Sequence, residues 1–313
     1  MSLLQSKKCV AFLSYVMLFV FVVGCDTKHD FPDNPCPIPS IAHPECARVA
    51  LVLGGGGTRG VAHVGVLAEF EKAGIPIDII VGCSAGSIVG ALYADYPNAA
   101  HVKRLLIPLR TWDILDVNLL YWRYGFVQGR ALTSFLKSNL RSRYFEQLQI
   151  PLYVVATDVL AGELVSMNSG LIIPAVRASS SVPLVFPPVL LYERWLVDGG
   201  VADPVPVATA KETGAAIVIA VDLSTLLPKT CPTNLFGVAS RSAEIKFLLQ
   251  SESCVNGADV VIRPDLGNMG IFDDKNQEYV YEAGAQAARK AIPKIIELLS
   301  QKGLIYPECD VAH

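Results

Sequence analysis

The chain has 313 residues, 52% of them hydrophobic and 18% charged, and a formal net charge of −3 at pH 7. It is too apolar for a disordered chain and long enough for one large core. Its charges are scattered, with no basic stripe of the kind that follows a phosphate backbone, so nucleic acid is not an expected partner. At the start, Lys7 and Lys8 precede an apolar run over residues 10–23. This is the layout of a secretory signal, and the run falls short of the roughly 20 residues a membrane span needs.

The run closes on Val22-Val23-Gly24-Cys25. That ending resembles the lipobox of bacterial lipoproteins, in which two aliphatic positions and a small residue precede the cysteine that is lipidated. The resemblance implies a signal peptide over residues 1–24, a lipid on Cys25, and a membrane-anchored lipoprotein of the bacterial cell envelope. An uncleaved anchor helix, or an ordinary signal with a chance cysteine, is the alternative. Asp26 resembles an inner-membrane retention signal of enterobacterial lipoproteins, yet inner and outer membrane both stay open. Residues 25–47 carry Pro32, Pro35, Pro37, Pro39 and Pro44, which forbid helix and favour an extended spacer.

From Arg48 onward short β-branched runs alternate with segments of helical period, which predicts one α/β domain over residues 48–313 with a mainly parallel sheet. "RVALVLGGGG" reads as a buried strand running into a glycine turn, and "GVAHVGVLAEFEKAG" as a helix stopped by Gly74. "IDIIVG" is a second strand, followed by a serine turn and a helix opening near Ala85. Residues 98–145 read as helices with loops, clearest over residues 130–140. The apolar, aromatic stretch over residues 112–126 fits an acyl channel or membrane-facing cap as well as it fits core. "PLYVVATDVL" then forms a hairpin through Ala161-Gly162 with "ELVSM". "WLVDGG", "AAIVIAVDLS" and "ADVVIRPDL" read as strands, "VPVATAKETG" as a helix, and residues 277–301 as the closing helix. Of eight cysteines, Cys36, Cys46, Cys231, Cys254 and Cys309 could form at most two bridges in an exported protein, with Cys36–Cys46 and Cys231–Cys254 the nearest pairs. No CxxC pair or histidine cluster is present, so no metal is expected.

Gly82-Cys83-Ser84-Ala85-Gly86 is a GxSxG pentapeptide between a predicted strand and a predicted helix. A sharp turn there lifts the hydroxyl out of the sheet at a helix N-terminus, where backbone N–H groups favour negative charge. A glycine-rich packing turn is the structural alternative. If Ser84 is a nucleophile, its base is the open question. The histidines are His29, His43, His63, His101 and His313. A hydrolase running Ser, acid, His along the chain would be left with His101 or the chain end, so a triad is not expected. His63, among apolar residues of the first helix, reads as a buried structural donor. Asp198, closing an apolar strand before two glycines, is the remaining base: burial raises a carboxyl pKa, although Asp before Gly-Gly also serves turns.

Gly54-Gly55-Gly56-Gly57-Thr58-Arg59-Gly60 follows the first strand, so its N–H groups can converge on an anion, with Arg59 nearby. A P-loop would need Gly-Lys-Ser/Thr where Arg59-Gly60 stands. A dinucleotide site would need an acid where the serine turn lies. An oxyanion hole fits better than a phosphate cradle.

"GGGGTRG", "GCSAG" and "DGG" in this order, with "RASSSVPLVFPPV" over residues 177–189, resemble the patatin-like phospholipase family, bacterial branch, across residues 49–223. The resemblance implies a three-layer α/β/α fold, a Ser–Asp dyad without histidine, no metal or cofactor, and hydrolysis of acyl esters in phospholipids or related lipids. It assigns Ser84 as nucleophile, Asp198 as proton acceptor, and Gly55, Gly56, Gly57 and Arg59 to the oxyanion loop. The lipoprotein leader is not part of the family pattern. An esterase or thioesterase acting on small acyl esters, and a non-catalytic lipid-binding lipoprotein, remain alternatives. The oligomeric state cannot be read.

Overall fold

Eight short strands carry the fold: β1 (Val49–Leu53), β2 (Ile79–Cys83), β3 (Leu152–Asp158), β4 (Leu164–Met167), β5 (Val189–Leu191), β6 (Arg194–Asp198), β7 (Ile217–Val221) and β8 (Val260–Ile262). The computed structural model describes residues 48–116, 127–227 and 229–304, all within one compact unit spanning residues 34–313. The expected leader, the spacer, Cys25, Cys36, Cys46 and Cys309 lie outside the described residues, as do residues 117–126 of the aromatic stretch.

The strands form one sheet in the order β5-β6-β3-β2-β1-β7-β8, with β4 also paired to β3. β3, β2, β1, β7 and β8 run parallel, while β4 and β6 run antiparallel to β3, and β5 antiparallel to β6. Every residue of β1, β2, β3 and β7 is buried. Strands covered on both faces read as continuous apolar runs, which is why these were visible in the sequence.

The helices are α1 (Val61–Ala73), α2 (Ala85–Asp95), α3 (Ala99–Leu106), α4 (Thr111–Ile114), α5 (Arg130–Asn139), α6 (Ile172–Ser179), α7 (Val207–Glu212), α8 (Leu235–Cys254) and α9 (Gln277–Gln301). One face of the sheet, bearing Ala50, Val52, Ile79, Val81, Val155 and Ala220, packs against Val207 and Ala210 of α7 and against Val255 just beyond α8. The other face meets α2, where Gly90 lies over Ile80, Leu152 and Leu53, and α1 and α9 complete that layer. The result is the three-layer α/β/α arrangement, mainly parallel with an antiparallel margin. α1 ends where expected, with Gly74 at φ 64° in the left-handed region that favours glycine.

Three elements had no counterpart in the sequence reading: β5, α6 and the 20-residue α8. Cys231 and Cys254 are both free thiols. Cys254 is the last residue of α8 and Cys231 lies four residues before its start. Trp112 on α4 is exposed, which removes it from the core. Among the described residues no helix is long and apolar enough to cross a membrane.

Candidate active site

Ser84 is the single residue between β2 and α2 and takes φ 51° and ψ −119°, a conformation costly for any side-chain-bearing residue. Its neighbours explain how the chain turns there. A Cβ on Gly86 would run into the Leu53 carbonyl, and one on Gly82 would sit 2.7 Å from Ser87 Cα. The strained backbone is clamped from both sides. The Ser84 N–H donates to Ser179 Oγ at 2.9 Å. Its carbonyl accepts from Ser87 Oγ at 2.6 Å and from Ser180 Oγ at 3.4 Å. The turn also leaves the side chain beside the first N–H groups of the 11-residue α2, which favour developing negative charge.

Asp198 reaches the serine through the sheet register. Cys83 of β2 pairs with Val155 of β3, and Asp198 of β6 pairs with the next residue, Ala156. The antiparallel β6 thus ends where β2 ends, coming from the opposite direction. Backbone bonds fix it there: Asp198 N–H donates to Ser181 O, and Thr157 Oγ1 donates to Asp198 O, both at 2.9 Å. Of the two carboxylate oxygens, Oδ2 accepts from Ser84 Oγ at 2.6 Å and Oδ1 from Gly200 N–H at 2.8 Å. Both side chains are buried. Burial raises the Asp198 pKa to about 6, against the pull of the bonds from Ser84 and Gly200. Cys83, beneath the turn, has its thiol pushed well above the usual range by burial and by the nearby Asp198, so it stays protonated.

The glycine loop divides its work. Gly55 N–H is committed to Pro204 O at 2.9 Å and holds the loop's course, whereas Gly56 and Gly57 line the cleft with Ser84 and Asp198. Arg59, expected as the basic member of the anion site, also lines this cleft, with its guanidinium bonded to the loop and to Thr225. Its Nε donates to Gly56 O at 3.0 Å and its NH1 to Thr225 Oγ1 at 2.8 Å. Drawing the Gly56 carbonyl toward Arg59 points the N–H of the same peptide, that of Gly57, the other way. Burial pulls the Arg59 pKa down to about 10, with Glu244 and Asp222 acting in the opposite direction. His63 is fully buried and its Nε2 donates to Gly54 O at 2.8 Å. Burial lowers its pKa to about 4, so it stays neutral and structural.

A cleft of about 200 Å³ opens over Ser84 and Asp198, with Leu226, Leu227, Phe247, Leu248, Met269 and Ile271 among its walls. The Phe247 ring of α8 lies over the site, within 3.3 Å of where a Gly55 Cβ would be and 3.5 Å of a Gly200 Cβ. His101 stacks edge-on against Tyr96 with ring centroids 5.2 Å apart and is not among the cleft's lining residues. His313 and Cys25 lie outside the described residues. Among the described residues no three His, Cys, Asp or Glu side chains gather as metal ligands. Ser87, Ser179, Ser180 and Phe247 are site residues without a signal of their own in the sequence: nothing local to the serine run of residues 179–181 announces bonds to a residue 95 positions away.

A serine hydroxyl at a strained strand-to-helix elbow, bonded directly to a desolvated carboxylate, has the parts a nucleophile–base pair requires. They stand at the end of an α/β sheet, and no histidine lies within hydrogen-bond contact of either among the described residues. The model of the patatin-like phospholipase family matches residues 51–211, and the chain belongs to that family. It is 34% identical over 273 residues to patatin-like phospholipase domain-containing protein 6 of Homo sapiens, covering 76% of this chain and 20% of the relative. To lysophospholipase NTE1 of Debaryomyces hansenii it is 35% identical over 186 residues, 58% of this chain and 12% of the relative. It thus spans a fifth or less of the length of these curated relatives. VipD from Legionella pneumophila shares the fold, with a TM-score of 0.53 at 13% identity over 87% of this chain and 72% of that one.

Proposed function

We propose that the protein is a lipid acyl hydrolase that cleaves carboxylic esters of phospholipids or related acyl lipids through a Ser84–Asp198 dyad. The observation that carries this reading is the 2.6 Å bond from Ser84 Oγ to Asp198 Oδ2 at the floor of an apolar cleft. Asp198 takes the Ser84 proton as Oγ attacks the ester carbonyl. The Gly56 and Gly57 N–H groups and the start of α2 receive the oxyanion; losing one such donor costs roughly 10²–10³-fold in rate. Collapse of the tetrahedral intermediate passes that proton from Asp198 to the leaving alcohol and leaves an acyl group on Ser84. Asp198 then deprotonates a water that attacks the acyl-enzyme, and returns the proton to Ser84 Oγ as the acid departs. Gly55 and Arg59 support the loop that supplies the donors. The apolar walls favour a fatty acyl chain over a small polar ester, and the names of the relatives agree with a lipid substrate. We further read residues 1–24 as a lipoprotein signal, 25–47 as a spacer and 48–313 as the catalytic domain, anchored by lipid on Cys25 in a bacterial envelope.

The test is Ser84→Ala and Asp198→Asn, each assayed by mass spectrometry of lipid extracts incubated with purified protein. Each is expected to lower hydrolysis by at least about a thousandfold with the fold intact by circular dichroism. His101→Ala and deletion of His313 are expected to leave it within about twofold. Loss of activity on either histidine change refutes the dyad.

A further inference from the structure

α8 turns Phe247 and Leu248 toward the cleft, with Phe247 packed over Ser84 and Asp198. Outward, Leu235, Val238, Ile245 and Leu249 are 86%, 50%, 40% and 61% exposed. At 100° per residue these four fall within an arc of about 80°, a stripe along the solvent side interrupted only by Ser242. A surface helix ordinarily keeps polar residues there, so this stripe is a face that no described residue covers. It does not stand alone. Leu184, Leu226 and Phe272, which line the cleft, are also exposed at its mouth, and Leu184 holds φ 71°, strained for a leucine.

We infer that the α8 stripe and the apolar mouth beside it form a docking face that enters a lipid surface and delivers the ester from it into the cleft. This rests on the acyl-lipid reading of the site. What selects the occupant is continuity: the same helix forms the inner wall of the cleft and the outer stripe. A second protein copy seated on the stripe and mouth would close the entrance, whereas a lipid surface is itself the source of substrate. No described helix is long and apolar enough to cross a bilayer, so α8 lies in the interface plane with its stripe among the acyl chains.

The full chain carrying Ser84→Ala and Leu249→Trp, compared with the Ser84→Ala parent, tests the placement. Its added fluorescence is expected to be quenched by phosphatidylcholine vesicles brominated on the acyl chains and unaffected by unbrominated ones. In the active chain, Val238→Asp/Leu249→Asp is expected to lower hydrolysis of phosphatidylcholine vesicles roughly tenfold or more. Neither residue lines the cleft, so hydrolysis of a water-soluble short-chain ester is expected to stay unchanged. Absent quenching, or vesicle hydrolysis unaltered by the double change, overturns the inference. So does equal loss on the soluble ester, which would make the stripe a support of Phe247, or a dimer in light scattering that the double change dissolves. If the wild-type chain cleaves neither ester while quenching persists, the hydrolase reading falls and the docking face stands.

Discussion

Asp198 is the residue at which reactivity works against stability. Its folded pKa of about 6 exceeds the ordinary 3.8 because burial disfavours the carboxylate more than Ser84 and Gly200 favour it. The native state therefore holds a proton that the unfolded chain releases between those values. The resulting stabilisation is complete below pH 3.8, declines as pH rises, and is gone above about 6, a difference of about 3 kcal/mol. Two consequences can be measured. The kcat/KM of the wild-type protein is expected to rise as pH passes about 6 and then level off, because only the carboxylate accepts the Ser84 proton. Calorimetry should find inactive Asp198→Asn melting above wild type at pH 7 and level with it near pH 4, where the native carboxyl is already neutral. A lower melting temperature at pH 7 would mean that the two bonds to the carboxylate outweigh its desolvation.

At the scale of elements, the end of α6 joins the two halves of the site. Ser179 and Ser180 hold the backbone of Ser84, and the Ser181 carbonyl holds the backbone N–H of Asp198. Buried Arg177 braces the run from the same helix, donating to Ser181 Oγ at 2.6 Å and to Gln128 O at 3.2 Å. Ser179 touches no reacting atom and acts as a positioning residue. Ser179→Ala strips the acceptor from a buried N–H, which costs about 1–3 kcal/mol. Loosening the elbow is expected to lower kcat about tenfold with KM little changed, the mark of an interaction felt in the transition state. A rise in KM at constant kcat would assign Ser179 to substrate binding instead. α6 escaped the sequence reading because seven of its eight residues are buried, which leaves no polar face to mark a helical period, and β5 because it follows Pro187-Pro188, a breaker signal. α8 escaped for a different reason: apolar residues on both faces erase the one-sided period by which a helix is recognised.

For the whole molecule, the parallel strands β3, β2, β1, β7 and β8 bring the serine elbow and the glycine loop to the same sheet end, as parallel α/β sheets place their sites beyond strand C-termini. The antiparallel β6 delivers Asp198 to that end from the far side. Where the molecule resides follows from our reading of Val22-Val23-Gly24-Cys25. Acyl chains on Cys25 would each contribute about 0.8 kcal/mol per buried CH₂, enough in combination for stable anchoring. Cys25→Ser is expected to release or misprocess the protein, and globomycin to accumulate the uncleaved precursor. A wild-type protein found wholly soluble, with its N-terminus cut elsewhere than before Cys25, would end the lipoprotein reading and leave the hydrolase reading in place.

By itself the sequence determined the features whose causes are local. β1, α1, β2 and the elbow were legible because buried parallel strands must be β-branched and apolar, and because a turn this tight tolerates nothing larger than glycine at positions 82 and 86. Asp198 could be named as the candidate base because no histidine was well placed and it closes an apolar strand before two glycines, where the family resemblance also put the acid. Tertiary structure alone decided the rest. The contact between Ser84 and Asp198 spans 114 positions and depends on the register of two strands against β3. That Gly55 binds Pro204 O, that Arg59 braces its own loop, and that three serines clamp the elbow are likewise set by which segments fold alongside one another. A hydrogen-bonding side chain has the same composition whether its partner is solvent or a distant backbone, so only the folded packing distinguishes the two.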